Sequence, residues 1–305
     1  MVPEPAPKQQ PSKGLIVRSK LLKLVAVGLV VVAAIAFSLP RILHGLGLHP
    51  TYAGETYQLP GRRALVITTS HGVLNEPGET DGPPTGVAAS ELTHPYYAFL
   101  EAGMQVDVAS VKGGPIPVDP QSLGFVTRTP EDDRFLADPA LQAKVKSSLR
   151  IDDVDFTTYD AIFIAGGWGA AYDLGYSDVL GKKVSEAYDA GTPILGSVCH
   201  GALGFVRAKD RDGNLLIAGR RMTGVSDKQV HELGIDVTPQ HPEAELRRAG
   251  ARYESAAAFR DVFATHVVVD DEQRFVTGQN QNSGRETAHE MMKLIALPSP
   301  STTDR

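Results

Sequence analysis

Among the side chains able to do covalent chemistry, Cys199 is the most conspicuous. It is the single cysteine of the chain, in Gly196-Ser-Val-Cys-His-Gly-Ala202. An apolar run ends on the thiol, and His200-Gly201-Ala202 begins a helix. That order lifts a reactive side chain off a sheet end on a tight turn flanked by small residues. A helix N-terminus also favours thiolate over thiol, so a depressed thiol pKa is expected. A lone free cysteine is usually a small buried hydrophobe; the strand-end position beside His200-Gly201 reverses that reading. Upstream, Ala165-Gly-Gly-Trp-Gly169 follows another apolar run. The backbone N–H groups of Gly166 and Gly167 in such a turn can face a developing oxyanion. One cysteine excludes an intrachain disulfide and a cysteine-based zinc site.

The elements that must hold these residues alternate. Strands are expected at 63–69, 104–111, 160–165 and 192–198. Helices are expected at 91–102, stopped by Gly103, at 173–190, stopped by Gly191, and at 284–297. Residues 215–222 suggest a short hairpin. Two β-rich runs, 266–270 and 274–277, flank the turn Asp271-Glu272-Gln273. Such alternation implies an α/β fold, a mostly parallel sheet sandwiched by helices, with ligands at the carboxyl ends of the strands. His266, His289 and the Gln240-His-Pro-Glu243 segment read as structural. No metal-spaced partner accompanies either histidine, and Pro242 sets a helix start with Glu243 near its N-terminus. Trp168 is expected to roof the pocket.

Five patches, in order, resemble the PfpI-type, class I glutamine amidotransferase-like superfamily, and within it the glyoxalase III and heat-shock chaperone branch. They are Thr85-Gly86 with Glu91 and His94-Pro95; Ala165 to Gly169 with Asp173; Val198-Cys-His-Gly201; Gly219 to Asp227 with Thr223-Gly224; and Thr277-Gly-Gln-Asn280 with Ser283. The resemblance spans roughly residues 62–297 and implies a flavodoxin-like domain. It makes Cys199 the nucleophile, His200 its partner, and Glu91 a carboxyl that meets the sulfur in its protonated form. Gly167 and the His200 amide would form the oxyanion hole. Two positions depart from the family pattern. Trp168 stands where the turn usually carries His, and Val230 stands where the triad acid falls. Asp227 or Glu232 would have to substitute by a shifted register.

The resemblance implies a cofactor-free, metal-free enzyme on a small carbonyl substrate, converting methylglyoxal to lactate. Two alternatives stay open. One is a cysteine hydrolase or amidase of the protease-like branch. The other is a non-enzymatic, membrane-tethered chaperone or redox-sensing thiol protein. A homodimer is left open as well.

The chain has 305 residues with 30 Lys/Arg and 36 Asp/Glu. Six of those basic residues (Lys8, Lys13, Arg18, Lys20, Lys23, Arg41) and one acid (Glu4) lie in 1–50. The remainder therefore holds 24 basic and 35 acidic residues, an acidic body that argues against nucleic-acid binding. Leu24 to Leu39 carries no charge, and Lys23 and Arg41 can snorkel at its ends. This gives a transmembrane helix at 21–40. The basic side puts a disordered tail, 1–20, in the cytoplasm and the domain outside it. A signal peptide cleaved near Ala34-Ile35-Ala36 is the competing reading. A linker at 41–61, the α/β domain at 62–297 and a frayed tail at 298–305 complete the expected layout.

Overall fold

A computed structural model describes residues 13–297; of the tails expected at 1–20 and 298–305, residues 1–12 and 298–305 lie outside the described residues, and 13–20 are helical rather than disordered. The chain divides into two units, 1–45 and 46–305.

In the first unit, helix α1 spans Lys13–Gly45. Within it, Leu21–Gly45 has a mean hydropathy of 2.5 and is, by length and composition, long and apolar enough to cross a membrane. Leu24, Leu29, Val32 and Phe37 are exposed. The helix continues past Pro40 to Gly45, so it ends later than the charge-free run suggests.

Among the described residues, the second unit is built on nine strands: β1 (Arg63–Thr68), β2 (Gln105–Ser110), β3 (Leu149–Arg150), β4 (Ala161–Ile164), β5 (Ile194–Val198), β6 (Arg221–Met222), β7 (Arg252–Tyr253), β8 (Val267–Val269) and β9 (Phe275–Gly278). Seven form one sheet in the order β3-β2-β1-β4-β5-β9-β8. All neighbours are parallel except β8 and β9, which pair antiparallel across the turn containing Gln273. The remaining helices are α2 (Ala89–Glu101), α3 (Pro130–Ala137), α4 (Pro139–Lys146), α5 (Ala170–Asp173), α6 (Asp178–Ala190), α7 (Asp227–Glu232), α8 (Pro242–Arg248) and α9 (Gly284–Ala296).

Side chains alternate along the central strands, so each face feeds its own core. Ala64, Val66, Ala161 and Phe163 pack with Leu92, Tyr96 and Phe99 of α2 and with Met291 and Met292 of α9. Leu65, Ile67, Ile162 and Ile164 pack with Leu180 and Val184 of α6, with Leu203 and Phe205, and with Leu246 of α8. The two layers clamp β1, β4 and β5. The carboxyl ends of these strands therefore sit side by side, where ligands bind in such sheets.

The strand-helix alternation and the parallel sheet agree with the expectation. Two local expectations need correction. The helix expected over 173–190 is broken: α5 ends at Asp173, a 3₁₀ turn follows, and Ser177 starts α6 by accepting from the Leu180 amide at 3.1 Å. The 215–222 hairpin does not form, because β6 pairs parallel with β7, Arg221 opposite Arg252. The region 120–158 contains α3, α4 and β3, which short capped segments such as Thr129-Pro-Glu-Asp132 encode without a long periodic pattern.

Asp270 closes the β8–β9 turn. Its fully buried carboxylate accepts from the amides of Arg274 (2.7 Å) and Phe275 (2.8 Å) and from Arg220 Nη1 (2.5 Å). Removing it takes the partner from two amides and leaves the largely buried Arg220 guanidinium with Glu272 as its remaining carboxylate. Asp270→Ala should lower the unfolding free energy by about 3 kcal/mol in urea titration; a loss below about 1 kcal/mol would mean the pair is mere surface decoration.

Candidate active site

Cys199 lies at the carboxyl end of β5 with φ +56°, in the left-handed region. For a residue with a Cβ this conformation costs on the order of 1–3 kcal/mol, so the surroundings must enforce it. Here they do so by close approach. A Cβ on Gly201 would fall 2.1 Å from the Ile164 carbonyl oxygen, and one on Gly166 would fall 2.6 Å from the His200 amide nitrogen. Only glycine permits the β4 and β5 ends to interlock, and the thiol is pushed out as a result. Cys199–Phe205 is a 3₁₀ run, not the α-helix expected, so the aligned backbone dipole beneath the sulfur is shorter.

Glu91, on the first turn of α2, is 1% exposed. Its carboxyl hydrogen-bonds the Cys199 sulfur. Its Oε2 accepts from the Gly166 amide at 2.9 Å. Burial pushes the Glu91 pKa up to about 8, and its hydrogen bonds hold back only part of the rise. Glu91 therefore carries its proton at neutral pH, and its bond to Cys199, which lowers the carboxyl pKa and raises that of the thiol, favours the thiol as donor once the carboxyl has ionised.

The thiol does not have the depressed pKa expected from the sequence. Burial pushes Cys199 well above the ordinary cysteine value, and the neighbouring Glu91 charge adds to the rise. The His200 and Gly167 amides oppose both effects by donating to the sulfur. Two acids in contact in one dry corner lose their protons as a pair. The first to leave yields a single negative charge shared by sulfur and carboxyl, with the second proton between them.

His200 is buried, with Nδ1 3.5 Å from the sulfur. Burial, with His241 nearby, drives its pKa down to about 3, so the ring is neutral. Its Nε2 has no hydrogen-bond partner, and its face meets Trp168 edge-on at 5.1 Å. A cavity of about 210 Å³ opens over Cys199, Glu91, His200 and Gly167. From behind, Asp173 ties the β1 end to the turn after β4: it accepts from Thr69 Oγ1 (2.8 Å) and from the Ser70 amide (2.7 Å).

The model of the DJ-1/PfpI family matches residues 84–294, a span that contains Glu91, Gly166, Gly167, Trp168, Asp173, Cys199 and His200. The chain belongs to the DJ-1/PfpI family. Glyoxalase 3 of Candida albicans is 28% identical over 238 residues, covering 75% of this chain and 97% of that protein. The glutathione-independent glyoxalase HSP31 of Saccharomyces cerevisiae is 29% identical over 238 residues, covering 74% and 95%. Among solved structures, the Francisella tularensis Rapid Encystment Protein 24 kDa superposes with a TM-score of 0.70 at 32% identity, covering 77% of this chain and all of that one. The glyoxalase III structure from C. albicans gives 0.67 at 26% identity, covering 76% and 97%. These neighbours carry the same flavodoxin-like sheet.

Against the family pattern, two expectations fail on geometry. Neither substitute acid reaches His200. Asp227 is exposed and faces His241 at 3.7 Å. Glu232 accepts from the Asp261 amide at 2.8 Å and pairs with Lys228. Val230 is fully buried in the core. Gly166 also leaves the oxyanion set, because its amide is committed to Glu91. The amides of Gly167, at φ +89°, and of His200 remain to face the sulfur. Gln240–Glu243 is the Pro-started first turn of α8, as expected.

Several lining residues carry no role in the sequence analysis: Asp119, Gln121 and Ser122 from the 3₁₀ turn after β2 and its cap, Thr127 just beyond it, and Leu48 and His49. The Asp119 carboxylate capping the Gln121 amide at 2.8 Å, in Asp-Pro-Gln-Ser, was the available local signal. Leu48 carried none. Among the described residues no group of three His, Cys, Asp or Glu side chains could hold a metal ion.

Glu91 makes stability pH-dependent. Its folded pKa lies above the unfolded value, so the folded state holds the extra proton between pH about 4.5 and 8. Its contribution is complete below the unfolded pKa and is lost as pH rises through 8. Relative to Glu91→Gln, the wild type should lose unfolding free energy at roughly 1.4 kcal/mol per pH unit across that window. Parallel urea curves for the two proteins would count against a buried, protonated Glu91.

Proposed function

We propose that this chain is a cofactor-free glyoxalase III-like enzyme that converts 2-oxoaldehydes such as methylglyoxal to the 2-hydroxy acid, with Cys199 as nucleophile and Glu91 as proton carrier. The observation that carries the reading is the buried Glu91 carboxyl in hydrogen-bond contact with the sulfur of a left-handed, strand-end cysteine. The relatives named as glutathione-independent glyoxalases support the same class of reaction.

The chemistry balances on these two groups. In the one-proton state the Cys199 thiolate adds to the aldehyde carbon, and Glu91 gives its proton to the oxygen, forming a hemithioacetal. The Glu91 carboxylate then removes the proton on that carbon. The resulting enediolate moves a proton between its oxygens, and Glu91 returns its own proton to the neighbouring carbon, leaving a thioester. Water, giving a proton to Glu91, hydrolyses the thioester. Hydroxy acid, thiolate and protonated Glu91 result, with one water consumed and no external oxidant. A pKa near 8 suits a group that must both give and take a proton near neutrality. The Gly167 and His200 amides hold charge on the sulfur.

A cysteine hydrolase would require His200 to gain a proton. The buried ring, down at about 3 and with Nε2 unpartnered, disfavours that. We also infer that Leu21–Gly45 anchors the protein, with the α/β domain outside the cytoplasm.

Purified protein given methylglyoxal without glutathione should form lactate, with kcat/KM climbing with pH to about 8 as the pair loses its first proton. Cys199→Ser should abolish turnover. Glu91→Gln should keep a donor on the sulfur, and hence iodoacetamide reactivity, yet lose at least about 100-fold in kcat, the usual worth of a positioned acid–base group. Turnover by Glu91→Gln at the wild-type rate sinks the proton-transfer role. For the anchor, protease added to intact spheroplasts should digest the domain; protection until lysis rejects the orientation, and a soluble product beginning near Phe37 rejects the anchor.

A further inference from the structure

The site cavity is not evenly lined. Leu48, Trp168, Val225, Leu233, Ile235 and Val262 supply an apolar wall. Glu91 and the sulfur sit at the polar corner described above, and Asp119, Gln121, Ser122, Thr127, Gln229 and Gln281 also line the cavity. Its volume, about 210 Å³, exceeds the roughly 150 Å³ that accepts benzene in an apolar cavity. Methylglyoxal is smaller than benzene, and its methyl group would leave most of the apolar wall uncovered. Water against that wall would be lost to an occupant with more hydrocarbon.

The wall is a built feature. Leu48 is 6% exposed and comes from a turn upstream of the span matched by the family model. Gly47 lies at φ +103° and His49 at φ +52°. The His49 amide donates to Asn282 Oδ1 at 2.7 Å, and Asn282 Nδ2 donates to the Gly47 carbonyl at 3.3 Å. Trp168 occupies the turn position where the family resemblance expects a histidine, replacing a polar ring with a larger apolar one that packs edge-on against His200. Val225 is buried, while Leu233 on the rim is exposed.

We propose that the preferred substrates are 2-oxoaldehydes whose side chain is a branched alkyl or aryl group, with the aldehyde at Cys199 and the side chain on the Leu48–Trp168–Ile235 wall. This rests on the reading of the site as a 2-oxoaldehyde hydratase-isomerase, and the chemistry at sulfur and Glu91 is unchanged. Specificity then comes from hydrocarbon burial in the bound and transition states.

The test is a series of kcat/KM values on the full chain in detergent, from methylglyoxal through longer and branched alkylglyoxals to phenylglyoxal. Values should rise about fourfold per buried methylene until the cavity is full. Three substitutions should lower the ratio of phenylglyoxal to methylglyoxal: Leu48→Ser, Ile235→Asn and Trp168→His. Ile235, half-buried on the rim, guards against a folding failure at Leu48, and thermal melts check each variant. A flat or falling series with methylglyoxal still turned over overturns the size preference and leaves the proposed reaction standing. A rising series with unaltered ratios in all three folded variants overturns the assignment of the wall. No turnover of any 2-oxoaldehyde overturns the proposed reaction, and this inference with it.

Discussion

The site depends on keeping a carboxyl and a thiol in contact without water. In solution each would ionise near its ordinary value and the two would repel. Buried together, they cannot both hold charge, because desolvation and like charge each raise the cost. The result is a pair that shares one proton once the first has left, and the rest of the architecture holds that pair together. The parallel strands β4 and β5 bring the Gly166 amide and the Cys199 elbow within reach of α2. α2 must then deliver Glu91 from its first turn, where it is 1% exposed. Glycine at 166, 167 and 201 is a steric requirement of that convergence. A Cβ at any of the three would lie under 3.0 Å from backbone of a neighbouring segment.

That constraint explains which parts of the site were legible in the sequence. Cys199, His200 and the Gly166-Gly167 turn follow strands whose apolar runs are easy to read, and local geometry at strand ends is strongly coded. Glu91 was found only through the ordered motif set, because a single glutamate in a helix start looks the same whether it caps a dipole or meets a thiol. The direction of the cysteine pKa was misread for a related reason. Sequence shows the helix start, but not the burial that outweighs it, nor that the following turn is 3₁₀.

What stayed illegible is non-local. The Asp119–Thr127 wall lies in a segment without period. The 215–222 run was read as a hairpin because hydrophobic alternation favours local pairing, whereas β6 in fact pairs parallel with β7. Leu48 offered no signal: it enters the cavity through two left-handed residues, Gly47 and His49, held by Asn282 more than two hundred positions away. Long-range contacts of this kind are set by tertiary packing, which pattern reasoning does not reach.

The missing triad acid becomes intelligible once the proton is assigned to Glu91. In an acyl-transfer triad the acid orients an imidazole that must become charged, and losing it is costly. Here the imidazole is buried, neutral and stacked edge-on against Trp168, and its Nε2 has no partner. Placing a carboxylate at Val230 would put a charge in a fully buried apolar position, and it would raise the His200 pKa toward the protonated state. A cation beside the sulfur would then draw the proton off Glu91 and leave the proposed carbon–carbon proton transfer without its carrier. An apolar Val230 and a neutral His200 are thus consistent with one another and with the proposed role of Glu91 as proton carrier. The same logic accounts for Trp168: with no imidazolium to solvate, the turn has no need of a polar ring, and its position is free to shape the cavity.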